Sequence, residues 1–231
     1  AVKLTTNVFR DLNIAFVNQL ALLFDKLGID TLEVLEAAKR KYNFQVHYPG
    51  PGVGGPCLPV NSYQMLNSAK QFDSEMLSLV KIGREINESM PNYVIELIIS
   101  GLKEANKKIS NSTILLLGVS YKPEVKDIQI PPAKNIIKKL KELGAKIKIY
   151  DPFFKSTNIF EIDTENNIEQ ALSDVDSVVL LTAHKEFNNL SPSFIASKIE
   201  MPVLIDTKRI FDLDDAKKSK LIFRYLGYGN F

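Results

Sequence analysis

The chain has 231 residues, with 29 Lys and Arg against 27 Asp and Glu, a formal charge of +2 and one cysteine. That length exceeds one small core and suits two domains. The near-neutral charge, with no basic stretch interleaved with aromatics, gives no case for a nucleic-acid partner, one cysteine excludes an internal disulfide framework and suits a reducing cytoplasm, and no apolar run reaches the roughly 20 residues of a membrane helix.

Residues 1–27 read as one helix. Leu4, Val8, Leu12, Ala15, Phe16, Leu20, Leu23, Phe24 and Leu27 recur at helical spacing, and Gly28 stops it. The helix pattern is already under way at the first residue, with no start signal before it, which reads as a fragment of a longer protein. Lys3 and Asn7 lie four apart and share a face; taken alone, such a pair is a solvated edge. Asp30 reads as an N-cap, with Glu33 completing a capping box, and a helix follows through about Lys41. His47 has no second ligand at metal spacing and is read as structural.

The stretch Gly50-Pro51-Gly52-Val53-Gly54-Gly55-Pro56-Cys57-Leu58-Pro59 is neither helix nor central strand, because glycine loosens the backbone and proline removes donors. It is a loop in which backbone can approach a ligand, with Gly52, Gly54 and Gly55 as the positions of closest approach. A helical pattern follows from Asn61 or Ser62 and runs to residue 71. Cys57 therefore stands near a helix N-terminus, where free N–H groups and the dipole favour a thiolate, and it is read as a nucleophile. The next helical stretch, 73–105, carries Met76, Leu79, Val80, Ile86, Val94, Leu97 and Ile98 as a wide apolar stripe. That stripe fits either a dimer interface or packing within the domain, and Pro91 should kink or break the helix.

Residues 106–112 read as a linker, and the pattern then changes. Ile114–Val119 is a continuous apolar run, the mark of a buried parallel strand. A helix over 132–143 closed by Gly144, a strand over 146–150, a short helix at 168–171, a strand over 177–182, a helix over 193–199 and strands over 202–206 and 221–225 follow. The fold class is α/β: an all-helical domain, 1–105, then a Rossmann-like, doubly wound parallel-sheet domain, 106–231. Ligands of such sheets bind at the carboxyl ends of the strands, which here carry Lys122, Asp151, His184, Asp206, Lys208 and Arg209; the three cations suit a phosphate. The first strand-to-helix turn, from Gly118 to Lys122, lacks G-x-G-x-x-G, so this sheet is not an evident dinucleotide site.

These pieces resemble the nucleotide-sugar 6-dehydrogenases, the family of the UDP-glucose, GDP-mannose and UDP-N-acetylhexosamine enzymes, over essentially the whole chain. The cysteine loop is closest in form to the UDP-N-acetylmannosamine and UDP-N-acetylglucosamine branch, with Val60 where glucose and mannose enzymes more often carry Lys. Lys3-x-x-x-Asn7, Arg10-Asp11-Leu12-Asn13-Ile14-Ala15, Arg84-Glu85-Ile86-Asn87 with Met90-Pro91, Leu117-Gly118-Val119-Ser120-Tyr121-Lys122-Pro123, Tyr150-Asp151-Pro152 and Asp206-Thr207-Lys208-Arg209 also match.

The resemblance implies a central helical domain that forms a homodimer and a UDP-sugar domain, without the NAD-binding domain that precedes them. It implies a cytoplasmic enzyme of surface-glycan precursor supply, acting on UDP-N-acetylmannosamine, with UDP-N-acetylglucosamine or UDP-glucose as alternatives. NAD is the implied cofactor. The C6 alcohol is oxidised to an aldehyde, Cys57 adds to give a thiohemiacetal, a second oxidation gives a thioester, and water releases the carboxylate. Lys3 and Asn7 then supply donors to the developing oxyanion, and Lys122 with Lys208 or Arg209 neutralises the diphosphate. This chain alone is expected not to turn over.

Three departures stand out. The family's Asp four residues after the cysteine is Asn61, which keeps an N-cap role but carries no charge. The Arg ahead of the loop is missing near Asn43. The Asp-x-Arg-x-Ser-Pro element reads Asp127-Ile128-Gln129-Ile130-Pro131-Pro132. Asn61 and the missing Arg keep open a non-catalytic nucleotide-sugar-binding homologue. A cysteine hydrolase is a weaker reading, since neither histidine lies near Cys57 in sequence with a clear orienting acid.

Overall fold

A computed structural model describes residues 1–200 and 202–229. Met201, Asn230 and Phe231, included in the sequence range 106–231, lie outside the described residues. The chain divides into two compact units: Ala1–Met90 with the described residues from Gly227 onward, and Pro91–Leu226.

The first unit is helical. Helix α1, Val2–Leu27, ends where Gly28 adopts a left-handed φ of 69° and donates its N–H back to the last turn, as its sequence predicts. Helix α2, Thr31–Ala38, is capped by Asp30, whose carboxylate accepts the N–H groups of Leu32 and Glu33. Helix α3 spans Leu58–Ala69, with Cys57 itself at the N-cap. It starts three residues earlier than the sequence pattern suggests, because Pro59 falls in the first turn, where a missing N–H costs nothing. Asn61 is therefore inside the helix and not its cap.

Helix α4, Ser78–Glu104, runs unbroken through Pro91. The proline withholds a donor from the carbonyl of Asn87, and the division between the units falls at Met90 and Pro91. Within α4, Val80, Val94, Leu97 and Ile98 are buried in the chain itself, while Met76, just ahead of the helix, and Leu79 are exposed. Most of the predicted stripe is thus internal core. An exposed apolar row runs instead along α1: Val2, Phe9, Phe16 and Leu23, at intervals of seven residues.

The second unit is a doubly wound sheet. Strands β1 (Thr113–Leu117), β2 (Lys146–Tyr150), β5 (Ser177–Leu180), β6 (Val203–Asp206) and β7 (Ile222–Tyr225) form one five-stranded sheet in the order β2-β1-β5-β6-β7. All neighbours pair in parallel, from Thr113↔Lys146 to Asp206↔Tyr225. Helices α5 (Pro132–Glu142), α6 (Ile168–Leu172), α7 (Pro192–Lys198) and α8 (Leu213–Lys218) occupy the connections. A two-strand hairpin, β3 (Asn158–Ile159) with β4 (Ile162–Asp163), follows β2. The side chains of Leu115, Leu117, Val178, Leu180 and Leu204 alternate along their strands to build one core with Leu172, Phe187 and Ile195. Gly101 lets α4 lie directly against the sheet: a Cβ there would stand 2.6 Å from Val203 Cγ1.

Candidate active site

The cysteine loop enters α3 through two glycines in conformations that favour glycine, Gly52 at φ 131° and Gly55 at φ 87°. Gly54 is not in that region. Cys57 is exposed, at the N-cap of a helix whose next turn begins with Asn61 N–H donating to the Cys57 carbonyl at 2.9 Å. Asn61 is buried, and its side-chain oxygen accepts from Asn7 Nδ2 at 2.5 Å while its amide donates to Gln64 at 3.0 Å. That bond joins α1 to α3 across 54 residues of sequence and brings two predicted site residues together one turn from the thiol. Lys3 is exposed on α1, one turn ahead of Asn7.

Beneath this lies a polar cluster that sequence reasoning did not assemble. The Asp11 carboxylate, 2% exposed, accepts from Arg84 at 3.0 and 3.2 Å, from Ser62 Oγ at 2.7 Å and from Asn87 Nδ2 at 2.8 Å. Asn18 Nδ2 donates to Asn87 Oδ1, and Asn18 Oδ1 accepts the N–H of Gly50, each at 2.9 Å. Burial works against the Arg84 guanidinium's charge, but Asp11 and Glu88 outweigh it and hold its pKa above the usual arginine value. A signal was available: Asp11 and Asn18 fall with Val8 and Ala15 on the buried face of α1, where a polar side chain requires partners.

In the second unit the chain turns back between β1 and β5, so the carboxyl ends of those strands form the switch point where such sheets bind ligands. Here the chain fills that place itself. Asp151, fully buried, accepts the N–H groups of Val119 (2.8 Å) and Ser120 (3.2 Å), the Ser120 hydroxyl (3.1 Å) and His184 Nε2 (3.2 Å) on one oxygen, and Phe153 N–H (3.0 Å) on the other. His184 Nδ1 accepts the Glu124 N–H at 3.1 Å, which fixes the ring proton on the nitrogen facing Asp151. Burial alone would raise the Asp151 pKa; the His184 and backbone hydrogen bonds prevail and lower it.

At the end of β6, Asp206 accepts four backbone N–H groups, from Lys208, Arg209, Ile210 and Phe211, at 2.7–3.0 Å. Burial raises its pKa against those bonds. Arg209 sits at φ 60° with its guanidinium 4.2 Å from the centre of the Tyr225 ring. Desolvation lowers the Lys208 ammonium to about 8 against the pull of Asp206. Lys122 is exposed in the loop after β1. With β5 between β1 and β6, the two loops lie on one edge of the sheet, with strand ends roughly 10 Å apart.

Residues 1–89 match the family model for the UDP-glucose/GDP-mannose dehydrogenase family, central domain, and residues 115–213 match that family's UDP binding domain. The chain belongs to the UDP-glucose/GDP-mannose dehydrogenase family. It is 33% identical over 229 residues to a UDP-N-acetyl-D-mannosamine dehydrogenase of Pyrococcus horikoshii, covering 99% of this chain and 51% of that protein. A solved structure of UDP-D-ManNAc dehydrogenase from the same organism superimposes with a TM-score of 0.89 at 33% identity, covering 100% of this chain and 52% of that one. An NDP-N-acetyl-D-galactosaminuronic acid dehydrogenase from Methanosarcina mazei Go1 gives a TM-score of 0.92 at 25% identity, covering 99% and 50%. The chain thus spans about half the length of the curated relatives it matches.

The nicotinamide cofactor associated with this dehydrogenase family does not fit the sheet of this chain. The first strand-to-helix turn lacks the glycine fingerprint, and the backbone N–H groups of Val119 and Ser120 that would face a pyrophosphate are engaged by Asp151. Among the described residues no group of three or more His, Cys, Asp or Glu is placed to hold a metal, and no helix is long and apolar enough to cross a membrane.

Proposed function

We propose that this chain is the central and sugar-nucleotide part of a UDP-N-acetyl-D-mannosamine 6-dehydrogenase, acting in the cytoplasm. The functional parts are taken as 1–105, carrying the thiol, and 106–231, carrying the UDP site. The reading rests above all on the Asn7–Asn61 hydrogen bond one turn from Cys57, which brings together side chains chosen separately from the sequence.

Cys57 is the nucleophile for a C6 aldehyde, its exposed position at the start of α3 suiting attack from solvent. Lys3 and Asn7 face the oxygen that gains charge as the thiol adds. Asn61 holds Asn7 in place and, lacking charge, leaves deprotonation of the thiol and of the attacking water to other groups. The backbone of Gly52, Gly54 and Gly55 meets the sugar, and Lys122, Lys208 and Arg209 neutralise the diphosphate. NAD is the oxidant implied for the whole protein, and no step is assigned to a nicotinamide held by this chain. The exposed row Val2, Phe9, Phe16 and Leu23 on α1 is the face through which two copies pair, since heptad spacing matches a helix–helix seam.

Calorimetric titration with UDP, UDP-N-acetylmannosamine, UDP-N-acetylglucosamine and UDP-glucose tests the reading. Preference for UDP-N-acetylmannosamine is expected. Equal binding of all four keeps the UDP site and removes the sugar assignment in favour of the alternatives; no binding of any removes the UDP site from this chain. A non-catalytic homologue, favoured by Asn61, is separated by the thiol: rapid alkylation of Cys57 slowed by the sugar nucleotide supports the enzyme.

A further inference from the structure

We propose that Asn18, Asn87 and Ser62 are positioning residues for Cys57, oriented by the buried Arg84–Asp11 ion pair. The proposal rests on the reading of Cys57 as the reactive thiol. Hydrogen-bond polarity carries it.

An ionised Asp11 only accepts. Asn87 must therefore turn its NH₂ toward Asp11, donating to the carboxylate at 2.8 Å and to the Asp11 carbonyl at 3.0 Å. That leaves Asn87 Oδ1 facing Asn18, so Asn18 must present its NH₂ there, at 2.9 Å. Asn18 Oδ1 is then the one atom left to take the Gly50 N–H, at 2.9 Å. Every amide in the chain has one permitted orientation, set by the charge at its far end. The same carboxylate accepts the Ser62 hydroxyl at 2.7 Å, in the second turn of α3.

Asp11 thus holds the cysteine segment at two points: Gly50, where the glycine loop begins, through Asn87 and Asn18, and Ser62, just after Asn61, directly. The eleven residues between them, 51–61, include the whole approach to Cys57. Asn18 and Ser62 are both 0% exposed, so water does not compete for these bonds. A directed polar chain ending on a loop amide fixes a register, which a nucleophile at a helix start requires.

The test uses the 231-residue chain, whose one cysteine makes alkylation site-specific. Asn18→Ala and Ser62→Ala are compared with the parent and with Leu35→Ala, which truncates a buried α2 side chain that has no part in this hydrogen-bond network. The readouts are the iodoacetamide rate at Cys57 and backbone deuterium exchange over 50–61. Losing a buried hydrogen bond is expected to speed exchange in 50–61 by about tenfold. The alkylation rate is expected to change at least about threefold in both network variants, while Leu35→Ala keeps the parent's rate. If Asn18→Ala does not fold, Ser62→Ala, which removes one hydroxyl, still decides. Network variants that behave like Leu35→Ala overturn the proposal. Failure of the reading of Cys57 as the catalytic nucleophile appears elsewhere, as oxidation of the sugar nucleotide to its carboxylate that survives Cys57→Ala in the whole protein, and leaves these rates untouched.

Discussion

Replacing Asp151 by Asn separates charge from shape at the point where the second unit's loops converge. One oxygen of Asp151 takes four donors and the other takes Phe153 N–H. An Asn can keep its carbonyl on the four-donor side, but its NH₂ then faces the Phe153 N–H, donor against donor. The variant loses one hydrogen bond outright, and the remaining four are no longer to a charged acceptor. With about 1 kcal/mol for the lost bond and a similar loss from the others, the cost is about 2 kcal/mol. For a protein of this size that is a fall of about 4–8 °C in melting temperature. Asp151→Ala strands all five donors and should cost at least about 4 kcal/mol. The folded Asp151 pKa lies below that of an unfolded Asp, about 3.9, so its stabilisation is complete above that value and is lost as pH falls through the folded value. The deficit of the Asn variant should therefore shrink in the acid range. Thermal melts followed by circular dichroism at pH 7 and near pH 3 measure both effects. An Asn variant as stable as the parent at pH 7, or as damaged as the Ala variant, refutes the reasoning.

Two further outcomes follow from single positions. Gly118→Ala should destabilise the second unit by about 2 kcal/mol or more, because the residue sits at φ 77° and a Cβ would lie 2.5 Å from the Thr182 carbonyl oxygen; chemical denaturation measures it, and a neutral result would mean that the two loops can part. Phe16→Glu, at a position 51% exposed in the middle of the α1 row, tests the proposed pairing of two copies: the dimer expected of the parent in sedimentation velocity should become a monomer while the helical circular dichroism stays unchanged; a parent that is already monomeric, or a dimer that persists in the variant, would remove the row as an interface.

What was legible in the sequence had a local cause. The strands of the sheet read to within two residues, because Leu115–Leu117 or Val178–Leu180 are continuous apolar runs that no exposed element tolerates. The β3–β4 hairpin, two residues a strand, is too short for any periodicity to show. Helix α8 escaped although Asp212, which caps it by accepting the Asp215 N–H, was a readable start signal. The long α4 stripe was read correctly as apolar, but which partner covers an apolar stripe is a tertiary fact, and Val94, Leu97 and Ile98 are covered within the chain. The pairing of Asn7 with Asn61, 54 residues apart, and of Asp11 with Arg84, 73 apart, has no local signature beyond polar residues on apolar faces.

The two acids at strand ends show why a motif can be right and its meaning still need the structure. Asp151 and Asp206 stand in segments that the family resemblance selected, at the edge where ligands bind. Each accepts the N–H groups of a turn, Asp151 those of Val119, Ser120 and Phe153, Asp206 those of residues 208–211. The anion that a glycine-rich turn would take from a dinucleotide is supplied at Asp151 by the chain. That occupation removes the dinucleotide site and at the same time fixes the loop that carries Lys122, while Asp206 fixes the one that carries Lys208 and Arg209. A sheet of the same topology thereby carries Lys122, Lys208 and Arg209 on loops held by buried carboxylates at one edge, the loops to which the proposed function assigns the diphosphate.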